Sequence, residues 1–259
     1  MRKKTVVVKI GGSTLGNHDT TLEDLVTLQK QGVPIVVIHG GAQTVSDWLA
    51  RLGISTSFIR GLRVTDAESL KVVAAVLGGL VNKELVVAIQ ALGGKAIGLS
   101  GSDGNLLWTT IKNPELGYVG QIAKVDPAPL RLLLSAGYIP VVAPISLGLV
   151  GGKITLLNVN GDAAAGEIAA ALSADRLIFL TDVAGIHDES GNTLPKINVA
   201  DAEKILASGT ASGGMIPKIE ACLKALATVP IARIINGTVS HALLDEMRNK
   251  AGGTTIVPK

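Results

Sequence analysis

An α/β fold around a mainly parallel sheet is what this chain predicts, on three observations. Short β-branched apolar runs alternate with helical patterns along its length. Two of the early runs, Thr5-Val6-Val7-Val8 and Ile35-Val36-Val37-Ile38, each lead into a glycine pair, Gly11-Gly12 and Gly40-Gly41. The 259 residues, 47% hydrophobic and 17% charged, supply a core for one large domain or for two lobes sharing a sheet.

Residues 5–10 read as a strand buried on both faces, because no polar residue alternates with the valines. A helix over 22–30 and a strand over 35–39 complete a first βαβ unit, and a helix through Val45, Leu49 and Leu52 follows. Residues 58–64, interrupted by Gly61, predict a hairpin. Thr65-Asp66-Ala67-Glu68 reads as a capping box opening a long helix toward Ala91. A strand over 96–99 comes next, then an antiparallel ribbon of 106–111 with 119–125. Asp126 as N-cap with Pro127 at the first helical position starts another helix, and 139–142 is a buried strand. A small-residue helix over 163–172 precedes a strand over 176–180. Helices over 198–207 (capped by Asn198) and 215–227 flank the glycine-rich stretch 209–214. A strand over 233–235, a short helix over 243–247 and a strand over 255–257 finish the pattern. A soft boundary near Ala174 separates an N-terminal lobe, 1–174, from a C-terminal lobe, 175–259.

Several function classes are excluded. Net charge is only +3, and two each of Trp, Tyr and Phe are too few stacking platforms for a single-strand nucleic-acid binder. Met1-Arg2-Lys3-Lys4 resembles the start of a secretion signal, but Lys9 cuts the apolar run short. The apolar stretch 80–92 is interrupted by Asn82, Lys83, Glu84 and Gln90, so no membrane-length segment is expected. The sole cysteine, Cys222, cannot form an internal disulfide, which makes a reducing, cytoplasmic setting the default. Neither G-x-x-x-x-G-K-[ST] nor G-x-G-x-x-G after the first strand occurs. Gly98-Leu99-Ser100-Gly101-Ser102 lacks the last glycine of a nucleophile elbow and reads as a strand-end turn. His18, His39, His187 and His241 are scattered, which disfavours a zinc site.

What remains is a set of polar groups at the ends of elements. Lys9 stands at the mouth of a buried strand and wants an anion, although a lysine snorkelling beside a tight turn is the plainer reading. Lys218 in a first helical turn opposes the helix dipole, which suits an anion bound between it and the helix end. Asp162 either caps its helix or does chemistry, and Asp182 either caps a loop or meets a ribose. Two lysines, two glycine loops, an aspartate and Arg63, all at junctions, jointly fit phosphoryl transfer.

Six segments occur in the order and spacing of one family. They are Lys9-Ile10-Gly11-Gly12, His39-Gly40-Gly41, Gly61-Leu62-Arg63-Val64-Thr65, Asn158-Val159-Asn160-Gly161-Asp162, Thr181-Asp182-Val183-Ala184-Gly185-Ile186 and Gly214-Met215-Ile216-Pro217-Lys218. Over nearly its whole length the chain resembles the amino acid kinase family. The resemblance implies an open α/β/α sandwich, with the amino-acid substrate and the dimer contact in the N-terminal lobe and ATP in the C-terminal lobe. It implies that Lys9 and Lys218 stabilise the transferring phosphoryl group while Asp162 holds the two lysines. Gly41, Ala42, Arg63 and Asn158 would bind the substrate, Arg63 through a carboxylate. Gly11 and Gly12 would donate N–H groups to phosphate. Asp182, Val183, Ala184, Gly185 and Ile186, with Thr210, Ala211 and Ser212, would border the nucleotide. Mg²⁺ would bridge the nucleotide phosphates without a dedicated protein carboxylate cluster.

The members it most resembles phosphorylate the side-chain carboxylate of N-acetyl-L-glutamate in arginine biosynthesis. Two other readings stay open: a kinase for carrier-protein-linked aminoadipate or glutamate, and a non-catalytic sensor on the same fold. Two positions depart from the family's pattern, Ala42 where a third glycine is usual and Gly161 where alanine is common. Relatives inhibited by arginine carry an additional N-terminal helix that builds a hexamer. Since this chain begins almost at its first strand, a homodimer without strong arginine feedback is the expectation.

Overall fold

The computed structural model describes residues 5–11 and 20–259. The first βαβ unit is β1 (Val6–Ile10), α1 (Thr21–Lys30) and β2 (Ile35–His39), followed by α2 (Ala42–Arg51). A small hairpin, β3 (Phe58–Ile59) and β4 (Leu62–Arg63), leads to the long helix Ala67–Ala91. That helix is α3 (Ala67–Ala74), a π-helical turn Ala75–Val81, and α4 (Asn82–Ala91). Then come β5 (Ala96–Ser100), β6 (Leu107–Ile111), β7 (Gly120–Val125), α5 (Ala128–Ser135), β8 (Ile139–Ala143), β9 (Ile145–Val150) and β10 (Lys153–Asn158). The remaining elements are α6 (Gly161–Leu172), β11 (Arg176–Thr181), β12 (Lys196–Asn198), α7 (Val199–Ser208), α8 (Met215–Ala225), β13 (Ala232–Asn236), α9 (Ala242–Met247) and β14 (Thr254–Val257).

Eight strands form the main sheet in the order β12-β14-β13-β11-β1-β2-β8-β5, parallel except between β13 and β14. From β1 the chain builds outward through β2 on one side, then returns to start the other side at β11. β1 is therefore the topological switch point, and ligands in open α/β sheets bind beyond the carboxyl ends of strands at that place. Register aligns the ends: Lys9 pairs with Ile38 and Phe179, and Ile10 with His39 and Leu180. The crossing itself lies at Asp175, whose N–H donates to the Thr5 carbonyl at 2.7 Å.

Strand alternation decides which helices the site residues meet. Val6, Val8 and Ile10 pack into the core under α1, α2 and α4, while Val7 belongs to the opposite core with Ala165, Ile168, Ala221 and Cys222. Lys9 shares the face of Val7, so its side chain runs toward α6 and α8. A second sheet, β10-β9-β6-β7, lies beyond the carboxyl ends of the first and carries Asn158 to the same region.

Several expected details change. The long helix is capped by Asp66, which accepts from the Ser69 N–H at 2.7 Å, and not by a Thr65–Glu68 box. Asp126 accepts from Ala128 N at 3.0 Å and leaves Pro127 as the capping residue, one position later than expected. The hairpin β9–β10 was not legible, because its glycines hide the strand pattern. Gly148 is required there, since a Cβ would fall 2.8 Å from the Thr109 carbonyl. The expectation of no membrane-length segment also needs correction. Ala67–Ala91, at 25 residues, is long and apolar enough to cross a bilayer by length and composition, because the helix begins well before the stretch first singled out. In this fold Val73, Leu77, Leu85 and Ile89 pack its inner face into the core.

Candidate active site

Asp162 lies at the second residue of α6, where a carboxylate also suits the helix dipole. It does not cap that helix. Asn160 does, accepting from the N–H groups of Asp162 at 2.9 Å and Ala163 at 3.0 Å. The Asp162 carboxylate is thereby left to bind other groups, and it binds two lysines. Lys9 Nζ is 2.7 Å from Oδ1, and Lys218 Nζ is 3.4 Å from Oδ2. Lys9 is 7% exposed and Asp162 5%, so these charges are largely withdrawn from water. Buried Oδ1 has no directed hydrogen bond, so its contact with Lys9 is chiefly electrostatic. Lys218 also donates to the Gly214 carbonyl at 3.1 Å, which offsets its unfavourable place in the first turn of α8.

Close helix packing sets the distance across this triad. Gly166, one turn beyond Asp162, faces Ala221, one turn beyond Lys218. A Cβ at Gly166 would stand 2.5 Å from the Ala221 carbonyl, so α6 and α8 approach as they do only because position 166 is glycine.

Two clefts open on either side of the triad. One, of about 240 Å³, is lined by residues between Lys9 and Asp162 and includes Gly41, Ala42, Arg63 and Asn158, four residues brought together from distant positions. Arg63 is buried here. Its Nη1 donates to Thr56 Oγ1 at 2.6 Å, and its Nη2 donates to the Ala42 carbonyl at 2.9 Å and to Ser46 Oγ at 2.7 Å. The Phe58 ring covers the guanidinium at 4.7 Å. Desolvation lowers the Arg63 pKa, but an arginine remains cationic at working pH. Gly41 adopts φ +143°, which residues with a side chain rarely adopt, and the Leu77 side chain lies over its Cα. Asn158 Nδ2 donates to Thr65 Oγ1 at 3.2 Å. Thr56, Ser46 and Phe58 are members of this site that sequence reasoning missed, because only the folded hairpin and its docking on α2 bring them to Arg63.

The other cleft, of about 320 Å³, is lined by residues from Thr181 to Lys218. Asp182, Val183, Gly185 and Ile186 come from the loop after β11, and Thr210, Ala211 and Ser212 from the loop before α8. Ala184 does not line it, although its neighbours do. His187, Asp188 and Met215 line it although the sequence assigned them no role there. Gly185 is extended beyond what other residues adopt, at φ +153°, and the Ile186 N–H is held by Thr254 Oγ1 at 2.8 Å. Gly11 N–H donates to the Leu180 carbonyl at 3.3 Å, continuing the sheet ladder instead of pointing at either cleft. The expected role of Gly12 lies outside the described residues.

The departures from the expected pattern are mild in space. A Cβ at Gly161 would meet the His39 carbonyl at 3.4 Å and Lys9 Cε at 3.7 Å, so alanine would fit there. Ala42 heads α2, where its carbonyl is an acceptor for Arg63. No group of three His, Cys, Asp or Glu suited to a metal occurs among the described residues. Two cations gripping one carboxylate between two clefts can neutralise an anionic group passing from one cleft to the other.

Residues 4–236 match the amino acid kinase family. The chain belongs to that family. Among curated members, acetylglutamate kinase from Dehalococcoides mccartyi (strain ATCC BAA-2266 / KCTC 15142 / 195) is 47% identical over 255 residues, covering 97% of this chain and 94% of its own. Acetylglutamate kinase from Jannaschia sp. (strain CCS1) is 44% identical over 256 residues, covering 97% and 89%. In solved structures, N-acetylglutamate synthase from Neisseria gonorrhoeae, complexed with coenzyme A and N-acetyl-glutamate, superposes with a TM-score of 0.84 at 29% identity. That match covers 100% of this chain and 60% of the synthase. Carbamate kinase from Giardia lamblia bound to AMP-PNP shares the fold at a TM-score of 0.72 and 16% identity, covering 100% and 99%. The amino acid kinase fold therefore accounts for the open sheet with helices on both faces.

Proposed function

We propose that this protein transfers the γ-phosphoryl group of ATP to the side-chain carboxylate of N-acetyl-L-glutamate, giving N-acetyl-L-glutamyl 5-phosphate, a step of arginine biosynthesis. The observation that carries the chemistry is the meeting of Lys9, from the end of β1, and Lys218, from the first turn of α8, on Asp162 between two clefts. The substrate follows from relatives named acetylglutamate kinase at 47% and 44% identity over 97% of the chain.

The cleft lined by Arg63 and Asn158 takes the acyl amino acid, and the cleft lined by Asp182 and Ser212 takes the nucleotide. Their lining residues fall between Lys9 and Asp162 in one case and between Thr181 and Lys218 in the other, which supports lobes divided near Ala174. The attacking carboxylate is ionised at neutral pH, so no general base is needed. Lys9 and Lys218 neutralise charge on the phosphoryl group in flight, while Asp162 holds the ammonium groups in place before and after transfer. Mg²⁺, carried by the nucleotide phosphates in the cleft lined by Asp182 and Ser212, would supply screening of their charge. The one carboxylate at the centre is already held by two lysines, in keeping with a metal carried by ATP rather than by a protein cage.

A cytoplasmic homodimer belongs to the same proposal. β5 is an edge strand of the main sheet, and Val87 and Leu92 beside it are exposed. Light scattering is expected to give twice the 26.5 kDa chain mass. The activity itself is tested with a substrate panel and hydroxylamine trapping. Hydroxamate is expected from N-acetyl-L-glutamate with MgATP. Product formed only from a carrier-linked substrate, or nucleotide binding without turnover, would overturn the proposal.

A further inference from the structure

Beneath the Gly40-Gly41 loop lies a buried polar pair that the mechanism above does not use. His39 and Asn82 are both fully buried. His39 Nδ1 is 2.7 Å from the Gly40 carbonyl, which can only accept, so that nitrogen carries the proton and Nε2 is bare. Nε2 lies 3.2 Å from Asn82 Nδ2, which donates to it. The other hydrogen of the same amide goes to the Val141 carbonyl at 2.9 Å, and the Leu99 carbonyl at 3.3 Å shares one of the two, so the side chain ties together β2, β8 and β5. Lys83 Nζ completes the set by donating to Asn82 Oδ1 at 3.0 Å. Gly98 leaves the space for this amide, since a Cβ there would overlap it.

Asn82 reaches this position because the preceding turn, Ala75–Val81, is π-helical. An i to i+5 repeat brings Leu77 and Asn82 to one face, and single π turns recur at functional sites. Leu77 lies over Gly41 while Asn82 holds His39, so one turn grips the loop on both sides of Gly40. Among the described residues the Gly41 N–H has no partner, and Gly41 lines the acyl-side cleft. A trans peptide points its C=O and N–H in opposite directions. Holding the Gly40 carbonyl toward His39 therefore aims the Gly41 N–H away from the ring.

We infer that His39 and Asn82 are positioning residues, which fix the Gly40–Gly41 peptide so that its N–H meets the oxygens of the acyl substrate. Neither touches the substrate. Burial pushes the His39 pKa down to about 4, in keeping with an imidazole that stays neutral at working pH. The inference rests on the acyl-side reading above, and the experiment separates the two. Wild-type protein must first form hydroxamate from N-acetyl-L-glutamate; if it does not, the activity fails independently of this pair. Given activity, Asn82→Ala is expected to raise KM for N-acetyl-L-glutamate about tenfold or more, with KM for ATP within about twofold. His39→Asn is expected to act in the same direction and serves where Asn82→Ala does not fold. Unchanged KM for the amino acid, or an equal rise for both substrates, overturns the inference. On the wild-type protein, ¹⁵N NMR of His39 is expected to show protonated Nδ1 and bare Nε2; the opposite tautomer overturns it as well.

Discussion

The two clefts that meet at Asp162 are built in different ways. On the proposed acyl side the binding groups are held in place before any ligand arrives. Arg63 is held by Thr56, Ser46 and the Ala42 carbonyl and covered by Phe58, and Gly41 is pinned by Leu77. On the nucleotide side two loops supply the walls, and their polar groups mostly serve the loops themselves. Asp188, for example, accepts from the N–H groups of Ser190 and Asn192, both at 2.9 Å, and these bonds hold its carboxyl below the usual range. The contrast teaches where discrimination resides. A site of fixed hydrogen-bonding groups rejects a substrate that leaves them unpaired, whereas loops can adapt to a ligand.

The largest test of that division falls on the group both sides share. Asp162→Asn leaves two lysines in a largely buried site without their counter-charge, and kcat is expected to fall by about a thousandfold or more. Urea unfolding of the same variant is expected to show a loss of several kcal/mol, of the order of 3–5 for a broken buried pair. Retained turnover would remove the triad from the mechanism.

Next come single residues on each side. Lys218→Ala is expected to lower kcat by about 10²–10³ with little change in KM for ATP. Arg63→Ala is expected to raise KM for N-acetyl-L-glutamate by about 10² while sparing ATP. If ATP binding suffered instead, the assignment of the clefts would be reversed. Gly166→Ala is a smaller perturbation, acting through the helix crossing: about tenfold in kcat, with about 1–3 kcal/mol of stability lost to overpacking. Steady-state kinetics with denaturant titration checks both numbers.

The smallest effect concerns a tie between the two halves remote from the chemistry. His241 Nδ1 lies 2.7 Å from Asp24 Oδ1, joining α9 to α1. The hydrogen bond and charge of Asp24 raise the His241 pKa above 6.5. A raised folded-state value means the tie contributes fully below the unfolded pKa and fades as pH rises through the folded one. His241→Ala is therefore expected to lower Tm at pH 5.5 and to leave it nearly unchanged at about pH 9. Equal losses at both pH values would exclude the charged form from the contact.

Much of this was legible in the chain. Runs such as Val6–Ile10 and Ile35–His39 are long enough and apolar enough to declare strands buried on both faces, and their glycine endings point to a shared sheet edge. Lys9 and Lys218 stood out because each sits where burial or a helix dipole makes an unpartnered cation costly, whereas Asp162 stayed between capping and chemistry until the family resemblance gave it a role. The hairpin of β9 and β10 escaped because Gly148 interrupts the apolar pattern of β9 and Gly151-Gly152 follow directly in the turn.

By itself, then, the order of residues determined the α/β class, the strand ends that face the two clefts and the charged groups that meet between them. Periodicity and charge placement are local properties, and they survive in one dimension. Tertiary structure alone decided that Asn160 relieves Asp162 of capping, that Gly166 brings α6 within reach of α8, and that a π turn delivers Asn82 to His39. Each of those depends on which surfaces meet, and a contact between distant segments is settled only when the core closes around it.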